Sequence, residues 1–226
     1  MLAAVLGFVA VSTVYDMSVA ETRTAGLDAA AEAAEAGLLV VLPTDTVYGV
    51  GCDAFDASGV RSLLQAKGRG RHMPVPVLVG SWNAIDGLVL AVSRQARQLV
   101  EAFWPGGVSL VVHHAPSLTW NLGDTRGTVM LRMPLHPVAI ELLRLVGPMA
   151  VSSANRSGQA PATTLQQAMD QLGDDVSVYL DGGPTGDAVP STIVDLTSPD
   201  PRVLREGAVP AERISEVLGF EVAVVT

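Results

Sequence analysis

The 226-residue chain is long enough for one large domain, and its 49% apolar against 16% charged residues exclude wholesale disorder. Aromatic residues make up only 4%, so a core has to be built from Val, Leu, Ala and Ile. Fourteen Lys+Arg against 23 Asp+Glu give a net charge of −9, which excludes a broadly basic surface for gripping nucleic acid but leaves room for a small basic pocket.

In chain order, residues 1–11 (MLAAVLGFVAV) form an apolar run well short of the roughly 20 residues that span a bilayer. No Lys or Arg precedes it, so the charged start of a signal peptide is missing. Residues 1–16 therefore read as an N-terminal extension, as from a misassigned start, with a secretory leader as the alternative. Residues 17–226 read as a single domain.

Residues 27–36 (LDAAAEAAEA) predict a helix stopped by Gly37. LLVVLP at 38–43 predicts a buried strand. Asp56 or Ser58 caps a helix through Ala66, with Val60, Leu63 and Leu64 on one face. A strand at 74–79 follows. Ser93 opens a helix with Ala96, Leu99, Val100 and Phe103 at helical spacing. Strands are expected at 108–113 and 128–133. Pro137 starts a helix through Val146, a position that suits proline. A short strand at 149–151, a helix at 165–172, strands at 176–180, 191–196 and 203–204, and a helix at 211–218 complete the chain. Strands and helices alternate without strict regularity. The expected fold is an α/β domain, a twisted mixed parallel/antiparallel sheet with flanking helices.

The residues with chemistry lie in loops at strand ends, where α/β proteins usually bind ligands. Residues 43–51 (PTDTVYGVG) run from a strand into hydroxyls, a carboxylate, a phenol and glycines that allow close backbone approach to a ligand. Residues 67–74 (KGRGRHMP) hold three cations within five residues, which suits an anion or, equally, a solvated helix end. Residues 152–158 (SSANRSG) offer hydroxyls, an amide and backbone N–H groups for an oxyanion, or a plain Ser/Asn turn. Arg132 ends an apolar strand and needs an anionic partner, either a ligand or Asp195.

Several chemistries are excluded. There is no GxxxxGK[ST] phosphate loop and no GxSxG elbow. Cys52 is the only cysteine, so a disulfide framework and a Cys-rich zinc site are ruled out, and a reducing, cytoplasmic setting is expected. His72, His113, His114 and His136 lack metal-ligand spacing. A pocket of cations, hydroxyls and backbone amides remains. It suits a polyphosphate, with catalysis by positioning and charge stabilisation.

Taken together, PTDTVYGVG, KGRGRHMP, WPGGVSLVV, GTVMLRMPLHP, SSANRSG, DGGP, STIVDL and VLREGAV occur in an order that resembles the YrdC/TsaC-like threonylcarbamoyl-AMP synthase family. The resemblance covers about residues 25–218 and is closest to short, single-domain members. It implies a YrdC-like fold around a positively charged central cavity. The implied reaction joins L-threonine, bicarbonate or CO2, and ATP into threonylcarbamoyl-AMP and pyrophosphate, for N6-threonylcarbamoyladenosine at position 37 of tRNA. It implies Lys67 and Arg69 as catalytic and ATP-holding residues, with Thr128, Ser153, Asn155 and Arg205 also on ATP. It implies Thr44, Tyr48, Arg132 and Ser191 on threonine. Mg2+ accompanies ATP, with no dedicated metal cage in the protein. The implied partner is a downstream tRNA threonylcarbamoyl-transferase complex, with no stable tRNA binding and no membrane. The sequence departs from the pattern at Gly70, Leu78, Ser152 and Pro190; Leu78 replaces a polar threonine contact. The competing expectation is a non-catalytic nucleotide- or double-stranded-RNA-binding member of the same fold. A carbamoyl-transfer role like that of hydrogenase-maturation proteins requires additional domains.

Overall fold

The computed structural model describes residues 12–186 and 188–225, so the apolar run at 1–11 lies outside the described residues. Residues 13–16, read from sequence as the end of the extension, form strand β1 (Thr13–Asp16). Helix α1 (Ala20–Glu35) follows, then β2 (Val40–Leu42), β3 (Gly49–Asp53) and α2 (Ala57–Ala66). Next come β4 (Val77–Leu78), α3 (Ile85–Leu88), α4 (Arg94–Phe103), β5 (Val108–His113) and β6 (Thr128–Arg132). The remaining elements are α5 (Pro137–Val146), β7 (Met149–Ser153), α6 (Leu165–Leu172), β8 (Val178–Asp181), β9 (Thr192–Asp195), β10 (Arg202–Arg205), α7 (Ala211–Leu218) and β11 (Ala223–Val224).

Helix starts follow local chemistry. Asp56 accepts from the N–H groups of Ser58 and Gly59, each at 2.7 Å, and so fixes the first turn of α2. Ser93 caps α4 through the Ala96 N–H at 3.0 Å. Thr164 and Gln167 form a reciprocal capping box on α6. Helix α1 begins seven residues before the expected start, because its first turns are polar and carry no apolar period.

All eleven strands among the described residues join one sheet in the order β1-β8-β2-β3-β7-β4-β6-β5-β9-β10-β11. The pairing is mixed: β5 runs parallel to β9 and antiparallel to β6, and β3 and β7 are antiparallel. Both faces of the central strands are covered. In β2, Val40 and Leu42 pack with α1 and α5, whereas Val41 packs on the opposite face with α2. That two-sided burial explains why β2 reads as an unbroken apolar run. Leu42 and Leu142 are fully buried, and truncating either to Ala costs about 2–5 kcal/mol.

Gly49 and Gly51 belong to β3, not to a ligand loop. A Cβ on Gly51 would run into the Ala150 carbonyl, and one on Gly49 would sit 2.7 Å from Val151 Cγ1. The close approach that these glycines permit is mainly to the neighbouring strand β7.

Candidate functional site

A cavity of about 300 Å3 opens where the strand-end loops meet. Its wall takes residues from seven strands consecutive in the sheet, β3 through β10, with β3 contributing only the backbone of Gly49. Laid flat at the usual spacing, those strands would span about 29 Å, so they share one cavity only because the sheet curls around it.

The cavity is cationic. Arg69 follows α2, Arg132 ends β6 and Arg205 ends β10, and all three line it. Among the described residues no Asp or Glu lines it. Burial lowers the pKa of each guanidinium; at Arg132 the neighbouring Asp45 opposes that shift and Arg205 adds to it. The gathering of like charges is sustained by hydrogen bonds at one end and left open at the other.

At the first end, Arg132 Nε donates to the Gly106 carbonyl at 2.9 Å and Nη1 to Thr46 Oγ1 at 3.0 Å. Nη2 pairs with Asp45 at 2.6 Å, and the same carboxylate oxygen accepts the Leu135 N–H at 2.9 Å. Asp45, not Asp195, is therefore the partner of Arg132. Asp195 instead pairs with Arg202 at 3.0 Å and caps its own turn through Thr197. Thr44 donates to the Val47 carbonyl at 2.6 Å, which folds the loop after β2. Ser191 and Ser109 share a hydrogen bond of 2.8 Å, and Arg205 grips the Ser191 carbonyl through Nη2 (2.7 Å) and Nε (3.1 Å). Ser109 is a buried cavity residue that the sequence reading missed. Its only signal was a serine inside the apolar strand VSLVVH.

At the other end, Arg69 makes one long contact, Nη1 to Ser152 Oγ at 3.4 Å. Its Nε is buried without a hydrogen-bond partner among the described residues. Ser152 and Ser153, at the end of β7, line the wall beside it.

Three expected site residues stand outside this lining. Lys67, 1% exposed, turns its ammonium to Ser153 and Asn155 instead of the cavity. Burial, with Arg69 adding repulsion, pulls its pKa down to about 7. Asn155 is spent on its own turn, donating to Arg156 and Gln159 carbonyls at 2.9 and 2.7 Å. Thr128, at the start of β6, donates to the Thr125 carbonyl at 2.8 Å. Tyr48 does line the cavity, but its hydroxyl donates to the Gly183 carbonyl at 2.6 Å and accepts the Gly182 N–H at 3.1 Å. Its phenol thereby anchors the turn after β8 rather than facing a ligand.

Among the described residues no group of three or more His, Cys, Asp or Glu could hold a metal ion. Cys52 is buried, and desolvation with nearby Asp56 and Asp53 pushes its thiol up to about 12, so it offers no nucleophile. No helix among the described residues is long and apolar enough to cross a membrane.

A curled α/β sheet that turns three guanidinium groups and several hydroxyls into one cavity, with no carboxylate among the described lining residues, defines an anion-binding α/β protein. The chain belongs to the Sua5/YciO/YrdC family, whose model, described as "Telomere recombination", matches residues 32–207. It is 63% identical over 209 residues to a Mycobacterium tuberculosis (strain H37Rv) protein named "Putative threonylcarbamoyl-AMP synthase", covering 92% of this chain and 96% of that one. It is 35% identical over 184 residues to the threonylcarbamoyl-AMP synthase of Pyrococcus abyssi, covering 81% of this chain and 54% of the relative. The crystal structure of P. abyssi Sua5 complexed with L-threonine superposes with a TM-score of 0.87 at 31% identity, over 95% of this chain and 62% of that chain. This chain thus spans about three fifths of the solved archaeal protein.

Proposed function

We propose that this chain is an L-threonylcarbamoyladenylate synthase. The observation that carries the reading is the convergence of Arg69, Arg132 and Arg205 on a cavity that no described carboxylate lines, next to buried threonine and serine hydroxyls. Such a cavity suits a ligand pair of high negative charge, a triphosphate and a carboxylate, and it rejects cations.

The chemistry needs no nucleophile from the protein. The threonine amine and bicarbonate condense to a carbamate with loss of water. A carbamate oxygen then attacks the α-phosphorus of ATP. The new O–P bond forms as the α–β bridging bond breaks, and pyrophosphate leaves with the electron pair. The protein positions both reactants and stabilises the charge that builds on the phosphoryl oxygens. In this assignment Arg69, Ser153 and Arg205 face the phosphates. Arg132 receives the threonine carboxylate, with Thr44 and Ser191 beside it. ATP would enter as its magnesium complex, because no described lining residue offers a carboxylate that would hold the metal.

The product is a mixed anhydride for transfer to tRNA by a separate complex. The net charge of −9 fits an enzyme that does not itself hold tRNA stably, working in the cytoplasm. The test is mass-spectrometric detection of threonylcarbamoyl-AMP after incubation with ATP, L-threonine and bicarbonate. Pyrophosphate release should depend on both co-substrates. ATP turnover indifferent to them, or nucleotide binding without product, overturns the reading and leaves a non-catalytic binder.

A further inference from the structure

Lys67 is the only lysine of the chain; every other member of the fourteen Lys+Arg is arginine. It sits at the C-terminal end of α2 and is 1% exposed. Its Nζ donates to the Ser153 carbonyl, to the Asn155 carbonyl at 2.6 Å and, more weakly, to Asn155 Oδ1 at 3.4 Å. Three oxygens thus meet three ammonium protons, and no donor is left for a ligand. The backbone ties the same two segments, since the Ser157 N–H donates to the Lys67 carbonyl at 3.0 Å. Two residues further on, Arg69 leaves this cage and enters the cavity.

The choice of lysine follows from shape. A compact, tetrahedral ammonium fits between three converging oxygens, whereas a planar guanidinium is too wide and presents its donors in one plane. Removing the ammonium leaves the negative ends of two carbonyls and an amide facing one another in a buried space, which costs free energy until the turn rearranges. That turn carries Ser152 and Ser153, the hydroxyls opposite Arg69.

We propose that Lys67 is a positioning residue, an internal cross-link that fixes the Ser152–Ser153 wall against Arg69, and that it is not a phosphate ligand. The kinetic consequence rests on the synthase reading, but the cross-link itself does not. Its oxygens belong to the protein, so it is complete before any ligand arrives. Arg69 alone of the pair then meets the phosphates.

The single lysine makes the test direct. The full chain labelled with 15Nζ-lysine gives one side-chain resonance. At pH 6 that ammonium should exchange slowly in the free protein. Adding the magnesium complex of α,β-methylene-ATP should leave its shift nearly unchanged. An ammonium that exchanges freely without nucleotide and becomes protected and shifted with it overturns the proposal. As the second arm, Lys67→Met and Lys67→Arg should each speed amide exchange over residues 153–157 at least tenfold without ligand, whereas Arg69→Met should not. Lys67→Arg should lose at least tenfold in kcat. Arginine that restores activity, with an unliganded turn unchanged in both lysine variants, assigns Lys67 to the phosphates instead. If Lys67→Met does not fold, the resonance of the native chain decides. If the native chain makes no threonylcarbamoyl-AMP, the synthase reading fails while resonance and exchange still judge the cross-link.

Discussion

The two ends of the cavity are built on opposite plans. Around Arg132 the polar groups are wired before any ligand binds: Nε to Gly106, Nη1 to Thr46, Nη2 to Asp45, and Ser109 to Ser191. Around Arg69 a guanidinium holds one 3.4 Å contact and an unpartnered Nε. The contrast shows how one pocket divides its work. The wired end presents a fixed shape and charge, as selection of a small ligand requires. The open end keeps donors in reserve, so the ligand supplies the compensating charge and binding there reports on it.

The comparison breaks most completely at Arg132. Arg132→Leu removes three hydrogen bonds and leaves Asp45, whose side chain is 17% exposed, without its ion pair. Loss of about 3–5 kcal/mol is expected in a denaturant titration, together with loss of threonine-dependent pyrophosphate release. A variant of near-native stability shows that the bonds around Arg132 do not hold the wired end together. Arg69→Met should do the reverse. It surrenders one weak contact, so the unfolding midpoint should hardly move, while KM for ATP rises about tenfold to a hundredfold, consistent with one or two charge-assisted bonds at about 1.4–2.8 kcal/mol in all. A midpoint that falls as far as in Arg132→Leu abolishes the distinction between the ends.

The last effect is one of pH and turns on Lys67, behind the open end. Lys67 has a folded pKa pulled down to about 7 against an ordinary 10.5. Between those values the unfolded chain retains a proton that the folded chain has released, so this group makes stability rise with pH. The thermal midpoint of the native chain minus that of Lys67→Met should therefore grow from pH 7 to about pH 10, other groups cancelling in the difference. A flat difference means that the three oxygens hold the proton throughout.

Much of this architecture was legible because the residues carry it locally. Helix α4 announces itself by Ala96, Leu99, Val100 and Phe103, and α2 by Asp56 ahead of Val60, Leu63 and Leu64. Strand β1 was not legible: Thr13–Asp16 is half polar, lies at the sheet edge and depends on distant β8 for its pairing. Strand β3 was hidden because its glycines look like a loop, and only the adjacent β7 explains them. At the site, ordered motifs brought Thr44, Arg69, Arg132, Ser153, Ser191 and Arg205 to attention, and the fold places all six on one cavity. What they do to one another was out of reach. The sequence does not say that Arg132 meets Asp45, 87 residues away, instead of Asp195, or that Lys67 turns inward while Arg69 turns outward.

The curl of the sheet has a consequence for the nascent chain. The cavity takes its first wall from Thr44 and its last from Arg205, on the penultimate strand, with β5 and β9 paired across more than eighty positions. Such long-range closure is slow and cannot precede synthesis of its final member. While the ribosome still holds β9 and β10 in its tunnel, Arg69 and Arg132 stand in an open trough without Ser191 or Arg205. The cavity wall is therefore completed late in synthesis, when β9 docks beside β5 and brings β10 with it.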